Sequence, residues 1–243
     1  MQIQERTQEK IGLLFIHGAG LDSSIWGKVL EGLDHPYLLL DFPYRTGTDE
    51  SRKDLSLTDY VTLMKKQIDQ WETYPFVMVA HSLGGIAAIK LASELSDRLA
   101  GFIAVGAAIP AKGGSFLSVL PFPKRILMSA ILRKVGTKPP ESAIRAGLCN
   151  DLSSEAALEI VRGFIPESIR VYTDRVEVSV PDVPKLYVKL TKDKEFGSSM
   201  QNKMINHFAP QSVHSLETGH LPMLSDPDGL RHILNSFMTK LEI

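Results

Sequence analysis

The sequence predicts an α/β protein with a mostly parallel, doubly wound sheet and an inserted, mainly helical cap. Three observations predict this fold. Short apolar runs alternate with longer segments of helical period, which is typical of a parallel sheet covered by helices on both faces. This alternation breaks between residues 109 and 181. The length of 243 residues and the hydrophobic content of 44% suit one large domain with an insertion.

Six apolar runs are predicted strands, and most of the segments between them are predicted helices. The strands are expected at residues 11–16, 37–41, 76–80, 101–105, 185–190 and 212–217. The helices are expected at residues 25–33, 57–72, 85–96, 198–207 and 228–240. Thr58 is the expected N-cap of the second helix, and Ser198 that of the fourth.

Residues 109–181 are predicted to form the cap, inserted into a core of residues 1–108 and 182–243. The segment contains several prolines, and helical patterns occur near residues 124–135 and 153–163. An insertion at this point of the chain is expected to cover the C-terminal edge of the sheet, where ligands bind in open α/β sheets.

Composition argues against several classes of protein and site. A net charge of −1 argues against a nucleic-acid binder. The single cysteine, Cys149, lacks partners at zinc-ligand spacing and is interpreted as a small buried hydrophobe, so no metal site is expected. No nucleotide motif supports a cofactor. The polar start at residues 1–10 and the lack of a membrane-spanning apolar stretch favour a cytoplasmic protein.

A serine stands between a predicted strand and a predicted helix, in the sequence Ala80-His81-Ser82-Leu83-Gly84-Gly85. This is the GxSxG pattern with alanine in place of the first glycine. Small residues two before and two after the serine let strand and helix cross closely, and the serine is held in strained geometry above the sheet edge. The pattern predicts Ser82 as a nucleophile and the Leu83 amide as an oxyanion donor.

A serine nucleophile needs a histidine base that is oriented by a carboxylate. In the fold that uses this turn, the acid follows a late strand and the histidine follows the last one. Asp193 lies in the loop after residues 185–190 and is the predicted acid; Glu195, further from the strand end, is the alternative. His220, after residues 212–217, is the predicted base.

A second oxyanion donor is expected from the loop after the first strand. That loop contains the glycine-rich sequence His17-Gly18-Ala19-Gly20. We therefore assign the second donor to the amide of Ala19. Loss of one oxyanion donor typically raises the activation barrier by about 3–4 kcal/mol.

With these motifs in this order, the chain resembles the α/β-hydrolase superfamily. It is most similar to the group of plant methylesterases, hydroxynitrile lyases and bacterial esterase relatives, through the stretches LFIHGA (14–19), AHSLGG (80–85), KLYV (185–188), DKEF (193–196) and GHLPML (219–224). The resemblance implies Ser82 as nucleophile, Asp193 as acid and His220 as base. Lyase members carry threonine and lysine where this chain has Gly18 and Leu221, which favours an esterase.

The expected function is cofactor-independent hydrolysis of small to medium, apolar carboxylic esters through an acyl-enzyme on Ser82. A lactonase, thioesterase or perhydrolase would use the same groups. The alternative from another class is a small-ligand receptor or signalling module on a hydrolase fold. Candidate residues of the substrate pocket are Gly18, His81, Leu127, Ile131 and Leu221.

The first half of the cap carries six basic residues and no acidic one between residues 112 and 140. Leu127, Ile131 and Val135, four residues apart, are predicted to face the core or pocket. The simpler interpretation is a cap helix with a solvated basic face. The alternative is an amphipathic surface that contacts a membrane or attracts anionic substrates.

Overall fold

The computed structural model describes residues 10–72 and 75–241, which contain one six-stranded sheet. The strands are β1 (Gly12–Ile16), β2 (Tyr37–Leu40), β3 (Phe76–His81), β4 (Leu99–Val105), β5 (Lys185–Leu190) and β6 (Ser212–Leu216). Their order is β2-β1-β3-β4-β5-β6, and every pair among these strands is parallel. The predicted parallel sheet is confirmed.

Helices flank the sheet and fill the long connection between β4 and β5. Their bounds are α1 (Gly27–Leu30), α2 (Leu57–Ile68), α3 (Gly84–Glu94), α4 (Phe116–Val119), α5 (Phe122–Val135), α6 (Glu141–Ala146), α7 (Ser154–Gly163), α8 (Ile169–Thr173), α9 (Ser198–Phe208), α10 (Pro222–Ser225) and α11 (Pro227–Leu241). Helices α4 to α8 lie between β4 and β5. We call this connection, residues 106–184, the helical insertion.

The four inner strands, β1, β3, β4 and β5, are buried on both faces, as their continuous apolar runs predict, whereas the edge strands β2 and β6 are partly exposed. Alternate residues of β1 point to opposite faces: Leu13 and Phe15 belong to one core cluster, while Leu14 and Ile16 belong to the other. The two clusters pack the sheet against helices on each side, so the central strands cannot shift without losing core contacts.

The register of the central strands aligns their C-terminal ends. Ile16 is paired with Ala80, Ala80 with Ala104, and Val105 with Val188. The loops that follow β1, β3, β4 and β5 therefore meet at one edge of the sheet. This is the edge at which open α/β sheets bind ligands.

Two predicted helices are shorter than expected. The helix predicted at residues 25–33 is a 3₁₀ helix (Ser23–Trp26) followed by α1, and the chain leaves helical geometry before Gly32, which has a φ of 79°. The helix predicted to reach residue 72 ends at Ile68, where the Trp71 N–H donates to the Ile68 carbonyl in a turn.

Both predicted N-caps are wrong. Ser56 caps α2, because its hydroxyl accepts from the Asp59 N–H while the Asp59 carboxylate accepts from the Ser56 N–H. The Thr58 hydroxyl instead accepts from Lys90 Nζ. Gly197 precedes α9 without a side-chain cap, so Ser198 is the first residue of that helix.

The predicted inward face of α5 does not enter the core. Leu127, Ile131 and Val135 are exposed, and Leu132 is the buried residue of the helix. The helix is anchored to the body of the protein along the edge that carries Leu132, and the four-residue spacing alone does not identify that edge.

Two further predictions concern Cys149 and the membrane. Cys149 is buried as predicted, and burial raises the pKa of its thiol to about 11.

No helix within the described residues has the length and apolarity needed to cross a bilayer. Most of the polar N-terminal stretch, residues 1–9, lies outside the described residues.

The N-cap correction leads to a matched pair of variants. Ser56→Ala removes the cap hydroxyl and is expected to lower the free energy of unfolding by about 1 kcal/mol. Thr58→Ala, two residues away on an exposed position, is expected to change it by less than about 0.5 kcal/mol. Urea unfolding measures both; equal losses in the two variants would contradict the capping role of Ser56.

Candidate active site

Ser82 occupies the sharp turn between β3 and α3. Its φ of 50° lies in the left-handed region, which residues with a side chain rarely adopt, at a typical cost of about 1–3 kcal/mol. The turn is held on both sides, because the Ser82 carbonyl accepts from the Ala108 N–H and the Ser82 N–H donates to the Val105 carbonyl. The strained backbone expected at this serine is present.

The glycines after this turn allow strand, helix and neighbouring loop to approach closely. A Cβ on Gly84 would lie 2.5 Å from the carbonyl oxygen of His17, and a Cβ on Gly85 would lie 2.6 Å from that of Ala108. Both distances are too short for a real Cβ atom. Ala80, in place of the first motif glycine, is accommodated in the core.

Three side chains form a continuous hydrogen-bonded chain at the turn. His220 Nε2 lies 2.8 Å from Ser82 Oγ, and His220 Nδ1 lies 2.8 Å from Asp193 Oδ2. All three residues are buried. Because an ionised carboxylate only accepts, Nδ1 carries the proton and Nε2 accepts from the serine hydroxyl. The structure therefore brings together the residues predicted as nucleophile, base and acid.

The loop after β5 orients Asp193. Its Oδ1 accepts from the N–H groups of Glu195 and Phe196, at 2.8 and 3.0 Å, while Oδ2 is bonded to His220. Glu195, the alternative acid, supports this arrangement through its backbone N–H. The carboxylate that hydrogen-bonds His220 belongs to Asp193.

The surroundings of His220 increase its affinity for a proton. Burial lowers the pKa of the imidazole, but the charge and the hydrogen bond of Asp193, together with the carboxylates of Glu195 and Asp151, outweigh burial. The pKa of His220 is therefore raised from its usual value of 6.5. Such an imidazole is suited to accept the proton of a serine hydroxyl.

The loop after β1 packs against the serine turn. A Cβ on Gly18 would lie 2.8 Å from the Cβ of Ser82. His17 fixes this loop: its Nδ1 donates to the Gly18 carbonyl at 2.8 Å, and its Nε2 accepts from the Phe42 N–H at 3.2 Å.

The two predicted oxyanion donors come from the segments that meet at Ser82. Leu83 precedes the first residue of α3, and Ala19 belongs to the loop after β1. Within the described part of the chain, neither N–H donates to a carbonyl or side chain. The start of a helix also favours negative charge. Both amides are thus free to hydrogen-bond a substrate oxygen.

The model of the alpha/beta hydrolase family matches residues 13–233, a span that contains Ser82, Asp193 and His220. The chain belongs to this family. The fold implied by the sequence resemblance is confirmed.

Individual relatives of this chain are distant in sequence. Methylesterase 17 of Arabidopsis thaliana is 23% identical over 243 aligned residues, with 88% of this chain and 86% of the relative covered. The biotin biosynthesis bifunctional protein BioHC of Cellvibrio japonicus (strain Ueda107) is 26% identical over 166 residues, covering 65% of this chain. The match spans 31% of BioHC, so the aligned part of this chain corresponds to about a third of that protein.

Among solved structures, an extracellular alpha/beta-hydrolase from a Paenibacillus species has a TM-score of 0.84 at 15% identity, with 93% of this chain and 98% of that chain covered. This likeness shows the shared fold. The similarity to Methylesterase 17 agrees with the predicted resemblance to the plant methylesterase group.

His81 supports the loop that carries His220. It is fully buried, and its Nε2 lies 2.8 Å from the His220 carbonyl oxygen, to which it donates. Burial lowers the pKa of His81 well below 6.5, and the neighbouring His220 lowers it further. A neutral His81 thus fixes the backbone of the loop at His220.

The predicted pocket residues fall into two groups. Gly18, His81 and Leu221 are buried, and Leu221 belongs to a core cluster, which corrects its prediction as a pocket residue. The histidine before it points toward Ser82, but the leucine packs inward under the loop. Leu127 and Ile131 instead line an open cleft on the surface.

This cleft has a volume of about 700 Å³ and opens between α5 and residues 194–203. We call it the outer cleft. Leu127 and Ile131 line it together with Phe196, whose ring packs edge-on against His220 with centroids 5.0 Å apart. Phe196, which the sequence analysis did not single out, therefore contacts both the outer cleft and the candidate base.

A buried carboxylate of the helical insertion was also missed. Glu167 accepts from the Tyr60 hydroxyl at 2.8 Å and from the Gly20 N–H at 3.4 Å, and it forms an ion pair with Arg45. It thereby joins the insertion to the loop after β1. Tyr60 and Gly20 are 107 and 147 residues away in the chain, so no local pattern marks Glu167.

A metal site would require a cluster of ligating side chains. Within the described residues, no group of three or more His, Cys, Asp or Glu side chains is arranged to hold a metal ion. At the serine turn, the Asp193 carboxylate and the His220 imidazole are hydrogen-bonded to each other.

Substitution of Gly84 tests the close packing of the serine turn. Gly84→Ala would force a Cβ against the His17 carbonyl and is expected to cost about 1–3 kcal/mol of stability. Gly27→Ala is the matched control, because nothing lies within 4 Å of its added Cβ in α1. Thermal unfolding measures both variants. A Gly84→Ala protein as stable as Gly27→Ala would contradict the close contact.

Proposed function

We propose that this hydrolase cleaves small to medium, apolar carboxylic esters through an acyl-enzyme on Ser82. The observation that carries the proposal is the hydrogen-bonded chain from Ser82 through His220 to Asp193, with 2.8 Å at both links. A buried serine in strained backbone, a histidine with a raised pKa and a carboxyl group hydrogen-bonded to that histidine are the parts that nucleophilic acyl transfer requires.

Acylation begins with attack of Ser82 Oγ on the ester carbonyl carbon. The hydroxyl proton passes to His220 Nε2, and Asp193 stabilises the resulting imidazolium without taking its proton. The carbonyl oxygen becomes an oxyanion that accepts from the Ala19 and Leu83 amides. When the carbon–oxygen bond to the alcohol breaks, the alcohol leaves with the proton from His220.

Deacylation repeats these steps with water. His220 removes a proton from water, whose oxygen attacks the acyl carbon, and the amides again stabilise the oxyanion. The bond to Ser82 Oγ then breaks, and His220 returns the proton to the serine. The products are a carboxylic acid and an alcohol, and the enzyme is restored.

An apolar substrate is supported by the aromatic side chains near the site. The ring of Phe196 packs against His220, Phe116 lies 6.0 Å from Phe196, and Phe116 makes an edge contact with Tyr172. The name of the relative Methylesterase 17 supports an ester as substrate. A receptor on the same fold would bind such a compound without turnover.

The first test uses p-nitrophenyl esters from acetate to dodecanoate. We expect turnover of at least one ester, and Ser82→Ala is expected to lower kcat at least about 10⁴-fold because the nucleophile is absent. Ser225→Ala, which removes another serine hydroxyl, is the matched control and is expected to retain activity. Release of p-nitrophenol measures the rates.

Two results would contradict this proposal. Unchanged activity in Ser82→Ala would exclude Ser82 as the nucleophile. Lack of turnover on every ester would favour a small-ligand receptor. A fluorophosphonate probe provides an independent check: Ser82 Oγ displaces fluoride from phosphorus, so labelling should occur at Ser82 and disappear in His220→Ala.

The pH dependence follows from the raised pKa of His220. The base must be neutral, so kcat/KM is expected to fall as pH decreases through this pKa. The midpoint of the acidic limb of the pH profile is therefore expected above pH 6.5. Glu195→Gln removes one charge that raises this pKa and should move the limb to lower pH with most of kcat retained. Asp193→Asn, by contrast, should lower kcat about 10⁴-fold. An upward move of the limb in Glu195→Gln would contradict this electrostatic arrangement.

A further inference from the structure

Helix α5 exposes an unusual concentration of apolar side chains. Nine large hydrophobic residues are exposed within the described part of the chain, and six of them lie on this one helix. Their exposed fractions range from 37% to 74%, in Phe122, Ile126, Leu127, Met128, Ile131 and Val135. Single exposed hydrophobic residues are common, but a contiguous group marks an interaction surface.

The same helix is strongly basic. It carries Lys124, Arg125, Arg133 and Lys134, and the flanking residues 112–140 contain no aspartate or glutamate. Within the described residues, none of these four side chains forms an ion pair. The helix therefore combines apolar side chains in water with a local positive charge that the protein does not neutralise.

The positive charge of α5 decides whether a second copy of the chain or a lipid surface can bind there. A second copy of the chain, packed symmetrically on α5, would bring four cations on one protomer close to the same four on its partner, and like charges at an interface are costly. An anionic lipid surface supplies both missing partners: phosphates for the basic groups and an apolar boundary for the hydrophobic ones.

We propose that α5 binds the surface of anionic phospholipid membranes. Phe122 and Ile126, four residues apart and therefore on one side of the helix, enter the boundary between headgroups and acyl chains. The lysine and arginine side chains of α5 are long enough to extend from a helix in this boundary to the lipid phosphates. This surface is separate from the proposed ester chemistry and does not depend on it.

Docking of α5 also orients the rest of the molecule. Lys124, Leu127 and Ile131 line the outer cleft, which faces Phe196 on its other side. The cleft therefore borders the helix that docks on the bilayer, and one aromatic ring separates the cleft from His220.

Sedimentation with sucrose-loaded vesicles tests the proposal. The vesicles are pure phosphatidylcholine, or phosphatidylcholine and phosphatidylglycerol in a two-to-one ratio. We expect binding to the anionic vesicles only, and weaker binding as salt is added. Each basic residue near such a surface contributes about five-fold in affinity, so reversal of all four should weaken binding at least about 100-fold.

Three variants separate the contributions. The charge variant carries Lys124→Glu, Arg125→Glu, Arg133→Glu and Lys134→Glu. The apolar variant carries Phe122→Ser and Ile126→Ser, and should also bind at least about ten-fold more weakly because the inserted side chains are lost. A matched control with the same change in net charge on exposed positions elsewhere should keep full binding; it carries Lys28→Glu, Lys66→Glu, Arg175→Glu and Lys240→Glu.

Circular dichroism verifies that each variant is folded. Lack of binding to anionic vesicles at low salt would overturn the proposal, as would undiminished binding of the charge variant or equal loss in the matched control. Full binding by the apolar variant would exclude insertion. A dimer in light scattering that the apolar variant converts to monomer, without vesicle binding, would assign α5 to a second copy of the chain.

Discussion

The left-handed backbone at Ser82 is the constraint on which the rest of the site depends. A serine in this conformation is unfavourable by itself, and the surrounding structure holds it in place. The parallel sheet supplies the frame, since β1, β3 and β4 end in register at one edge. Gly84 and Gly85 then let α3 pack against the carbonyls of His17 and Ala108. The serine hydroxyl is consequently presented at a fixed point above the sheet.

The other groups reach Ser82 through connections that are each fixed by a separate interaction. Two backbone amides orient Asp193, and His81 holds the carbonyl of His220. Asp151 of the helical insertion accepts from the Gly219 N–H, directly before His220. With Glu167 bonded to Gly20, the insertion contacts two of the loops around the serine. Movement of the helical insertion would therefore disturb the loops around Ser82.

The helical insertion is packed unevenly. Near the site its aromatic side chains are in contact with the core, as the Phe116 and Tyr172 rings show. Along α5, by contrast, Leu132 is the buried apolar residue, while its neighbours remain in water. Apolar area left in water forgoes about 25 cal/mol per Å² of stabilisation. The uncovered helix is thus the part of the described structure whose composition is least explained by folding alone.

The sequence by itself determined the strands, the serine turn and the order in which Ser82, Asp193 and His220 follow their strands. These features depend on local periodicity and on the small size of neighbouring residues, which can be read along the chain. The tertiary structure decided which side of α5 is buried, that Leu221 packs inward, and that Glu167 contacts Gly20. It also showed that Glu195 acts on Asp193 through its backbone. Each of these depends on partners brought close only by folding, so burial and hydrogen bonding there have no local signal in the sequence.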